Sequence, residues 1–237
     1  MKSRKFIPKA VVLLSGGLDS AVTLYYAGKS GFKPFCLIFD YGQRHIKEIS
    51  FARRLALKAG CGYKIVKISL PWNGSSLLGK RVSLPKRKNV ITGKQKKVIP
   101  STYVPARNII FLSFALSYAE AIGSEAVFIG AHSQDYSGYP DCRPEFFKAF
   151  DRAAKVGTKT GIQGQGIRII APLLNKSKAE IIRLGSYLGV PFELTWSCYS
   201  GGKYPCGKCD SCYYRAKGFK EARNLRDTLA DKAKGVP

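Results

Sequence analysis

Apolar and polar positions fall into alternating blocks along the chain, and these blocks predict strands and helices in turn. Continuous apolar runs of strand length are typical of strands that are buried on both faces of a parallel sheet. Segments of helical length, with capping residues before them and glycines after them, follow those runs. The pattern predicts strands at residues 10–14, 35–39, 63–69, 126–130 and 167–173. It predicts helices at residues 19–31, 48–58, 107–122, 144–156 and 177–189.

Strand–helix alternation at this spacing predicts a Rossmann-like α/β fold, with a parallel five-stranded sheet and helices on both faces. Right-handed crossovers between parallel strands bring ligands to the carboxyl edge of such a sheet. Two stretches interrupt the alternation and are expected to be loops. One is the basic stretch after the third strand, which contains Pro71, Pro85 and Pro100. The other is the Gly- and Lys-rich stretch 157–166.

The loop between the first strand and the first helix is the first candidate for chemistry. Its sequence is SGGLDS, residues 15–20. Unpaired N–H groups point out of a helix N-terminus, and the helix dipole favours an anion there. Gly16 and Gly17 let the backbone approach a guest closely, and Ser15 and Ser20 offer hydroxyl groups. Phosphate or pyrophosphate is the expected guest, and the alternative is a Gly-rich turn with no ligand.

This loop resembles the pyrophosphate loop (PP-loop) of the N-type ATP pyrophosphatases. The resemblance implies a fold of the HUP, or adenine nucleotide alpha hydrolase-like, type at residues 1–190, and transfer of an adenylyl group to an oxygen of the substrate. It implies catalytic roles for Ser15, Asp19 and Ser20. It also implies that ATP contacts Leu14, Ser15, Gly16, Gly17, Leu18, Asp19, Ser20, Ala21, Val22, Thr23 and Leu24.

Four of the seven cysteines lie close together near the C-terminus. They are Cys198, Cys206, Cys209 and Cys212. Four thiolates within 15 residues suit Zn²⁺ in a closed tetrahedral site, which is structural rather than catalytic. An iron–sulfur cluster and four reduced cysteines without metal are the alternatives. We therefore expect residues 191–237 to form a C-terminal zinc-binding segment.

The charge balance widens the range of candidate partners. The chain has 40 basic and 15 acidic residues, and residues 49–119 contain no acidic residue at all. Residues 79–97 hold eight lysines or arginines, but no aromatic residues that could stack on bases. A solvated loop is therefore favoured there over a nucleic-acid contact. No apolar run is long enough to span a membrane, and no signal peptide is evident, so a cytoplasmic protein is expected.

Several further stretches resemble a single family in its own order, from about residue 10 to residue 220. They include DYGQRH at 40–45, STYVPARN at 101–108, DYSGYPDCRPEF at 135–146 and TWSCY at 195–199. Together with the SGGLDS loop and the cysteine cluster, they are similar to the 7-cyano-7-deazaguanine synthase (QueC) family.

The resemblance implies an ATP-dependent ligase of queuosine and archaeosine precursor biosynthesis. Its partners would be ATP, 7-carboxy-7-deazaguanine and ammonia, and the chain would form a homodimer. ATP would activate the carboxylate as an acyl adenylate, ammonia would give an amide, and a second activation would dehydrate the amide to the nitrile. One structural Zn²⁺ on the four cysteines and Mg²⁺ with ATP would be the cofactors.

The resemblance and the side-chain chemistry together suggest roles for individual residues. Arg107 and Lys178 are candidate catalytic groups because each can neutralise phosphate or the substrate carboxylate. Asp19 or Asp135 could orient Mg²⁺, although Asp19 could instead only cap its helix. No catalytic role is assigned to His45 or His132. The candidate substrate-binding residues are Tyr41, Gln43, Arg44, Arg107, Asp135, Tyr139, Asp141, Arg143 and Glu145.

Two other functions compete with this interpretation. A pyrophosphatase of the same type could adenylate tRNA or another macromolecular acceptor, which the basic segment 79–97 would bind. A zinc-binding module without catalysis is the third hypothesis, and the complete SGGLDS loop argues against it.

Overall fold

The computed structural model describes residues 6–43, 46–72, 74–78, 99–132 and 139–233, with side chains up to residue 223. Two predicted substrate-binding residues, Arg44 and Asp135, lie outside the described residues. So do His45 and the basic segment 79–97. The roles expected of Arg44, Asp135 and the basic segment therefore stay predictions.

Five parallel strands form one sheet, as the sequence pattern predicts. They are β1 (Lys9–Leu13), β2 (Lys33–Asp40), β3 (Gly62–Lys67), β4 (Ala126–Phe128) and β5 (Arg168–Ile170). The strand order is β3-β2-β1-β4-β5, and every neighbouring pair is parallel. The central strand β1 therefore lies between β2 and β4, where the direction of winding reverses.

Helices connect these strands and cover both faces of the sheet. They are α1 (Leu18–Lys29), α2 (Lys47–Lys58), α3 (Arg107–Ala121), α4 (Pro144–Gly157), α5 (Lys159–Ile162), α6 (Lys178–Tyr187) and α7 (Asp210–Ala233). Short 3₁₀ turns occupy Pro140–Cys142 and Phe192–Leu194. Within the described ranges, none of these helices has both the length and the apolar character that crossing a membrane requires.

Successive side chains of β1 point to opposite faces of the sheet and contribute to two hydrophobic cores, one on each face. Ala10 and Val12 pack with α1, α2 and α6, while Val11 and Leu13 pack with α3 and α4. All four side chains are buried. Burial on both faces explains why the first strand reads as a continuous apolar run rather than as an alternating one.

Two stretches differ from the sequence-based expectation. The stretch 157–166, expected to be a loop, contains helix α5 because the Thr158 hydroxyl caps it and accepts a bond of 3.1 Å from Gly161 N. The cysteine-containing segment continues into the long helix α7, which the sequence pattern did not predict. Gly218 of α7 lies so close to α6 that a Cβ there would stand 2.5 Å from Lys178 Cγ. The proposed domain boundary at residue 190 stays a prediction.

The carboxyl ends of β1 and β4 define the edge where a ligand is expected. In an open parallel sheet, the crevice at the point where winding reverses is the preferred ligand site. Gly130, just after β4, packs on the start of α1, and a Cβ at this position would lie 3.0 Å from the backbone of Asp19. This contact brings the end of β4 against the SGGLDS loop.

Gly16 offers a stability test of the loop. Its φ is +83°, and a Cβ there would lie 2.3 Å from Glu48 O and 2.8 Å from Ala52 N in α2. We expect Gly16→Ala to lower the free energy of unfolding by about 3 kcal/mol or more, because backbone strain and a clash add together. Urea unfolding measures this loss.

Gly31→Ala is the matched control. Gly31 also has a left-handed backbone, with φ of +87°, but open space surrounds its Cβ position. Strain alone should cost roughly 1–2 kcal/mol there. Equal losses for the two variants would contradict the tight packing of Gly16 against α2.

Candidate active site

The SGGLDS loop is held in shape by its own serine hydroxyls. Ser15 N donates to Ser20 Oγ at 3.2 Å, and Ser20 Oγ donates to Gly17 O at 3.0 Å. Gly17 N donates to Ser15 Oγ at 3.3 Å. Within the described residues, no side chain caps the start of α1. This helix N-terminus therefore presents its dipole and backbone N–H groups to an anion.

A cavity of about 280 Å³ opens beside this loop, at the carboxyl edge of the sheet. Six of the predicted ATP-binding residues line it, namely Leu14, Ser15, Gly17, Leu18, Asp19 and Ser20. The other five, Gly16, Ala21, Val22, Thr23 and Leu24, are not among the described lining residues. Their ATP-binding role stays a prediction, and the side chains of residues 21–24 are buried beneath the loop.

Asp19 and Lys178 form an ion pair in the cavity wall. Lys178 Nζ donates to both carboxylate oxygens of Asp19, at 2.9 and 3.0 Å. His132 Nε2 lies 3.0 Å from Lys178 Nζ and 3.5 Å from Asp19 Oδ2. Burial acts to raise the pKa of Asp19, but Lys178 and His132 outweigh it and hold this pKa far below its ordinary value. Asp19 is therefore ionised at neutral pH.

Lys178 reaches this pair from the first turn of α6. Ser177 caps that helix, with its hydroxyl accepting from Glu180 N while the Glu180 carboxylate accepts from Ser177 N at 2.7 Å. This capping box fixes where α6 begins. The start of α6 thus places the ammonium group of Lys178 opposite the start of α1.

Arg107 supplies a second positive charge on the opposite wall of the cavity. It begins α3 directly after Ala106, whose φ of 55° turns the chain into the helix. Burial acts to lower the pKa of Arg107, but the neighbouring Tyr41 hydroxyl and Asp141 carboxylate raise it above its ordinary value. Tyr41 and Tyr139 also line the cavity, and the Tyr139 hydroxyl is hydrogen-bonded to Thr102 Oγ1.

Gln43 also lines the cavity, but its amide is engaged with the backbone at the end of β2. Gln43 Oε1 accepts from Tyr41 N at 2.9 Å, and Gln43 Nε2 donates to Phe39 O at 3.1 Å. Gln43 therefore holds the Tyr41 backbone in place.

Three further predicted substrate-binding residues, Asp141, Arg143 and Glu145, lie at or just before the start of α4. Asp141 is buried, and its Oδ2 accepts from Asn108 N at 3.1 Å in the first turn of α3. Arg143 and Glu145 are exposed at the start of α4. None of the three is among the cavity-lining residues in the described part of the chain. Their substrate-binding role stays a prediction.

Cys142 belongs to the sequence stretch DYSGYPDCRPEF, residues 135–146, and lines the cavity. Its sulfur accepts from Asn108 Nδ2 at 3.4 Å. Burial, together with the Asp141 charge, raises the pKa of Cys142 to about 11. The side chain is thus a protonated thiol at neutral pH, which fits packing better than nucleophilic chemistry.

Several lining residues were not assigned to the site from the sequence. They include Thr102, Asn108, His132, Ser197, Tyr214 and Arg215. One signal was available for His132, which follows β4 at the carboxyl edge of the sheet. Arg215 lies one helical turn after Cys212, in a helix that the sequence pattern did not reveal.

The four clustered cysteines converge as predicted. The ligand atoms of Cys198, Cys206, Cys209 and Cys212 all lie within 4.8 Å of one another. Cys206 N donates to Cys198 Sγ at 3.3 Å, and the Ser200 hydroxyl lies 3.0 Å from the same sulfur. These four residues can hold one metal ion.

The Asp19–Lys178 pair predicts how stability depends on pH. Because the folded pKa of Asp19 lies below its ordinary value of 3.8, the pair stabilises the fold above that pH. The contribution is lost as the pH falls further, through the folded pKa. We expect Asp19→Asn to destabilise the chain by roughly 1–3 kcal/mol near neutral pH, because Lys178 loses its partner.

Urea unfolding of wild type and variant across pH measures this difference. It should not shrink between neutral pH and about pH 5, and it should shrink below pH 3.8. Glu221→Gln, which removes an exposed partner of Lys217, is the control and should change stability by less than about 1 kcal/mol. A pH-independent loss in Asp19→Asn would contradict the ion-pair explanation.

Comparison with known proteins shows to which family this chain belongs. A solved NMN synthetase from Francisella tularensis aligns at 18% identity and a TM-score of 0.47, covering 86% of this chain and 71% of that one. A 7-cyano-7-deazaguanine synthase from Trichormus variabilis is 51% identical over 223 residues, which are 93% of this chain and 97% of the relative. Another, from Thermoplasma volcanium, is 51% identical over 90% of this chain and 87% of its own length. The family model of the queuosine biosynthesis protein QueC matches residues 9–223. The chain therefore belongs to the QueC family, as its motifs predict.

Proposed function

We propose that this chain is an ATP-dependent carbon–nitrogen ligase that converts 7-carboxy-7-deazaguanine and ammonia to 7-cyano-7-deazaguanine. The observation that supports this proposal most directly is the N-terminus of α1, which follows the SGGLDS loop and has no side-chain cap. It faces a cavity whose lining includes Lys178 and Arg107. Such an arrangement suits a nucleotide phosphate beside an anionic substrate. Membership in the QueC family and the names of relatives at 51% identity support the choice of substrate.

The first step is adenylation of the substrate carboxylate. A carboxylate oxygen forms a bond to the α-phosphorus of ATP, the bond from that phosphorus to the bridging oxygen breaks, and pyrophosphate leaves with the electron pair. Negative charge grows on the α-phosphate and on the leaving group. The loop N–H groups and the α1 dipole stabilise that charge without having to reorganise.

Lys178 adds a mobile positive charge to the fixed N–H groups of the loop and the α1 dipole. Its ammonium group rests on Asp19 in the structure. A phosphate oxygen offers the same kind of acceptor, so Lys178 can turn from Asp19 to the nucleotide when ATP binds. Asp19 then has carboxylate oxygens to offer to Mg²⁺, which prefers oxygen ligands and would screen the charge of the phosphates.

The opposite side of the cavity suits a flat anionic heterocycle. Arg107 remains protonated and can pair with the substrate carboxylate. Phe39 and Phe111 stack at 4.0 Å between centroids and line the cavity beside Tyr41. An aromatic wall of this kind provides area for stacking and excludes water from the acyl adenylate.

Two further steps complete the proposed reaction. Ammonia attacks the carbonyl carbon of the acyl adenylate, a carbon–nitrogen bond forms, and AMP leaves while the nitrogen loses one proton to water, which gives the amide. The amide oxygen then bonds to the α-phosphorus of a second ATP, and pyrophosphate leaves. The nitrogen loses its two remaining protons to water as AMP departs with that oxygen and the carbon–nitrogen triple bond forms. Both activations place charge on an α-phosphate, so the same loop and Lys178 serve each of them.

Zinc is the proposed occupant of the cysteine cluster. Sulfur ligands of tetrahedral zinc lie about 3.8 Å apart, given a Zn–S length of about 2.3 Å. The four sulfur atoms are already within 4.8 Å of one another, so they fit such an ion with small adjustments. Four thiolates fill the coordination shell, and a structural role follows.

The homodimer and the cytoplasmic location expected from the resemblance stay predictions. Ile109 and Phe114 of α3 are 43% exposed, which is apolar surface that a second copy of the chain would cover.

The direct test incubates the purified chain with 7-carboxy-7-deazaguanine, ammonium and MgATP. We expect mass spectrometry to detect the nitrile, together with AMP and pyrophosphate. Lys178→Ala should lower kcat/KM by about a hundredfold or more, because the transition-state charge loses its cation. ATP turnover without nitrile would contradict the proposed substrate and would favour a tRNA acceptor, to be assayed next.

Lys176→Ala is the matched control for this variant. Lys176 lies two residues before Lys178, outside the residues that line the cavity in the described part of the chain. Its removal changes net charge equally and should leave kcat/KM within about twofold.

The metal proposal has its own test. Elemental analysis of the purified chain should find one zinc per chain and no stoichiometric iron. Cys209→Ser should lose most of the zinc, because Cys209 is buried within the cluster, whereas Cys61→Ser should retain it. Iron with visible absorbance would instead indicate an iron–sulfur cluster and overturn the zinc assignment.

A further inference from the structure

Trp196 connects the ATP-binding loop to the cysteine cluster. Its backbone N–H donates to Gly16 O at 2.9 Å, inside the SGGLDS loop. Its indole Nε1 donates to Cys198 O at 3.0 Å, at one of the metal-binding cysteines. The side chain is buried and lines the cavity. One residue therefore touches the candidate nucleotide site and the candidate metal site together.

Arg215 holds the segment on both sides of Trp196. Its Nη1 donates to Thr195 Oγ1 at 2.8 Å and to Ser197 Oγ at 3.3 Å. Its Nη2 donates to Phe192 O at 2.9 Å. The planar guanidinium thus spans residues 192–197 with a fork of donors, which a lysine cannot reproduce.

The backbone of Arg215 lies close in the chain to the cysteine cluster. Arg215 lies three residues after Cys212, close to one turn along α7. Cys198 follows Ser197 directly, so a metal ion bound by Cys198 and Cys212 fixes both ends of the Arg215 contact. The distance between the start of α7 and the 195–197 segment is then set by the ion.

The cost of burying Arg215 points to a positioning role. Within the described residues its three hydrogen-bond acceptors are neutral oxygens, and burial lowers the pKa of Arg215 even though Asp19 and Cys212 attract its charge. The side chain is half-buried, and a charge partly removed from water without a carboxylate in contact costs stability. The three hydrogen bonds of Arg215 fix the geometry of residues 192–197.

We propose that Arg215 is a positioning residue through which the metal-bound cysteine cluster holds the ATP-binding loop in its binding geometry. The proposal rests on the proposed ATP-binding function. The metal fixes α7, Arg215 fixes residues 192–197, and Trp196 N–H holds the Gly16 carbonyl. When this chain of contacts loosens, the N–H groups of the loop lose their common direction, and affinity for ATP falls while the sheet stays folded.

The test measures MgATP affinity of the zinc-loaded chain by calorimetry and by tryptophan fluorescence. The chain has two tryptophans, so Trp72→Phe leaves Trp196 as the single reporter at the site. In this background we expect Arg215→Gln to raise the Kd for MgATP about tenfold, the usual scale for losing charge-assisted hydrogen bonds. Zinc content should remain that of the parent, and circular dichroism should show the same helical content.

Two variants sharpen the result. Arg223→Gln makes the same chemical change on an exposed position of α7 and should leave the Kd within twofold. Arg215→Lys keeps the charge without the fork and should restore only part of the affinity.

Removal of zinc by a chelator supplies the coupling measurement. We expect it to raise the Kd of the Trp72→Phe parent by about the same factor as Arg215→Gln. In the Arg215→Gln chain it should add little more, because both changes break one chain of contacts and are therefore non-additive. The emission of Trp196 should shift in the same way after either change.

Three outcomes would overturn the proposal. They are a Kd for Arg215→Gln within twofold of the parent, effects of substitution and zinc removal that simply multiply, or loss of zinc from Arg215→Gln. If the zinc-loaded parent does not bind MgATP at all, the proposed function itself fails, and this result is distinct from the other three.

Discussion

The structure depends on one constraint, which is that the backbone must pass from a buried strand into a helix while the N–H groups at the start of that helix stay open to the cavity. A larger residue at the turn would collide with α2, because the Cβ position of Gly16 lies 2.3 Å from Glu48 O. The same constraint acts after β4, where a Cβ on Gly130 would lie 3.0 Å from the backbone of Asp19. Neighbouring elements thus enclose the loop from two sides, and the open side is the one toward the cavity.

Charges around this loop are arranged so that each has a partner before a nucleotide arrives. Lys178 Nζ lies 2.9 Å from Asp19 Oδ1 and 3.0 Å from His132 Nε2, and His132 Nε2 lies 3.5 Å from Asp19 Oδ2. The ammonium group of Lys178 is therefore stabilised without phosphate. Arg107 keeps its charge beside Tyr41 and Asp141. In the proposed reaction, binding of ATP would exchange one set of partners for another, which avoids the cost of desolvating an unpaired charge at the moment of reaction.

Local patterns in the sequence predicted the features that depend on local physics. The five strands follow from continuous apolar runs, the loop from its glycines and serines, and the convergence of the four cysteines from their spacing. Contacts between distant segments could not be derived in this way. Arg215 meets Thr195 from helix α7, which packs against α6, and His132 approaches Lys178 from the end of β4, which lies beside β1. Asp141 had the right chemistry for a substrate contact, but the bond that it makes is with the start of α3.

The segment after residue 190 is part of the site rather than an attachment to it. Trp196, Tyr199 and Arg215 line the same cavity as Ser15 and Asp19. The close approach at Gly218 places α7 on the α6 residue that carries the catalytic candidate Lys178. Two parts of the chain that are about 180 residues apart therefore share one set of contacts, whose geometry the cysteine cluster can fix. In our proposal, a metal ion held by the cysteine cluster would act on the SGGLDS loop through the Arg215 side chain and the Trp196 N–H, without touching the reacting atoms.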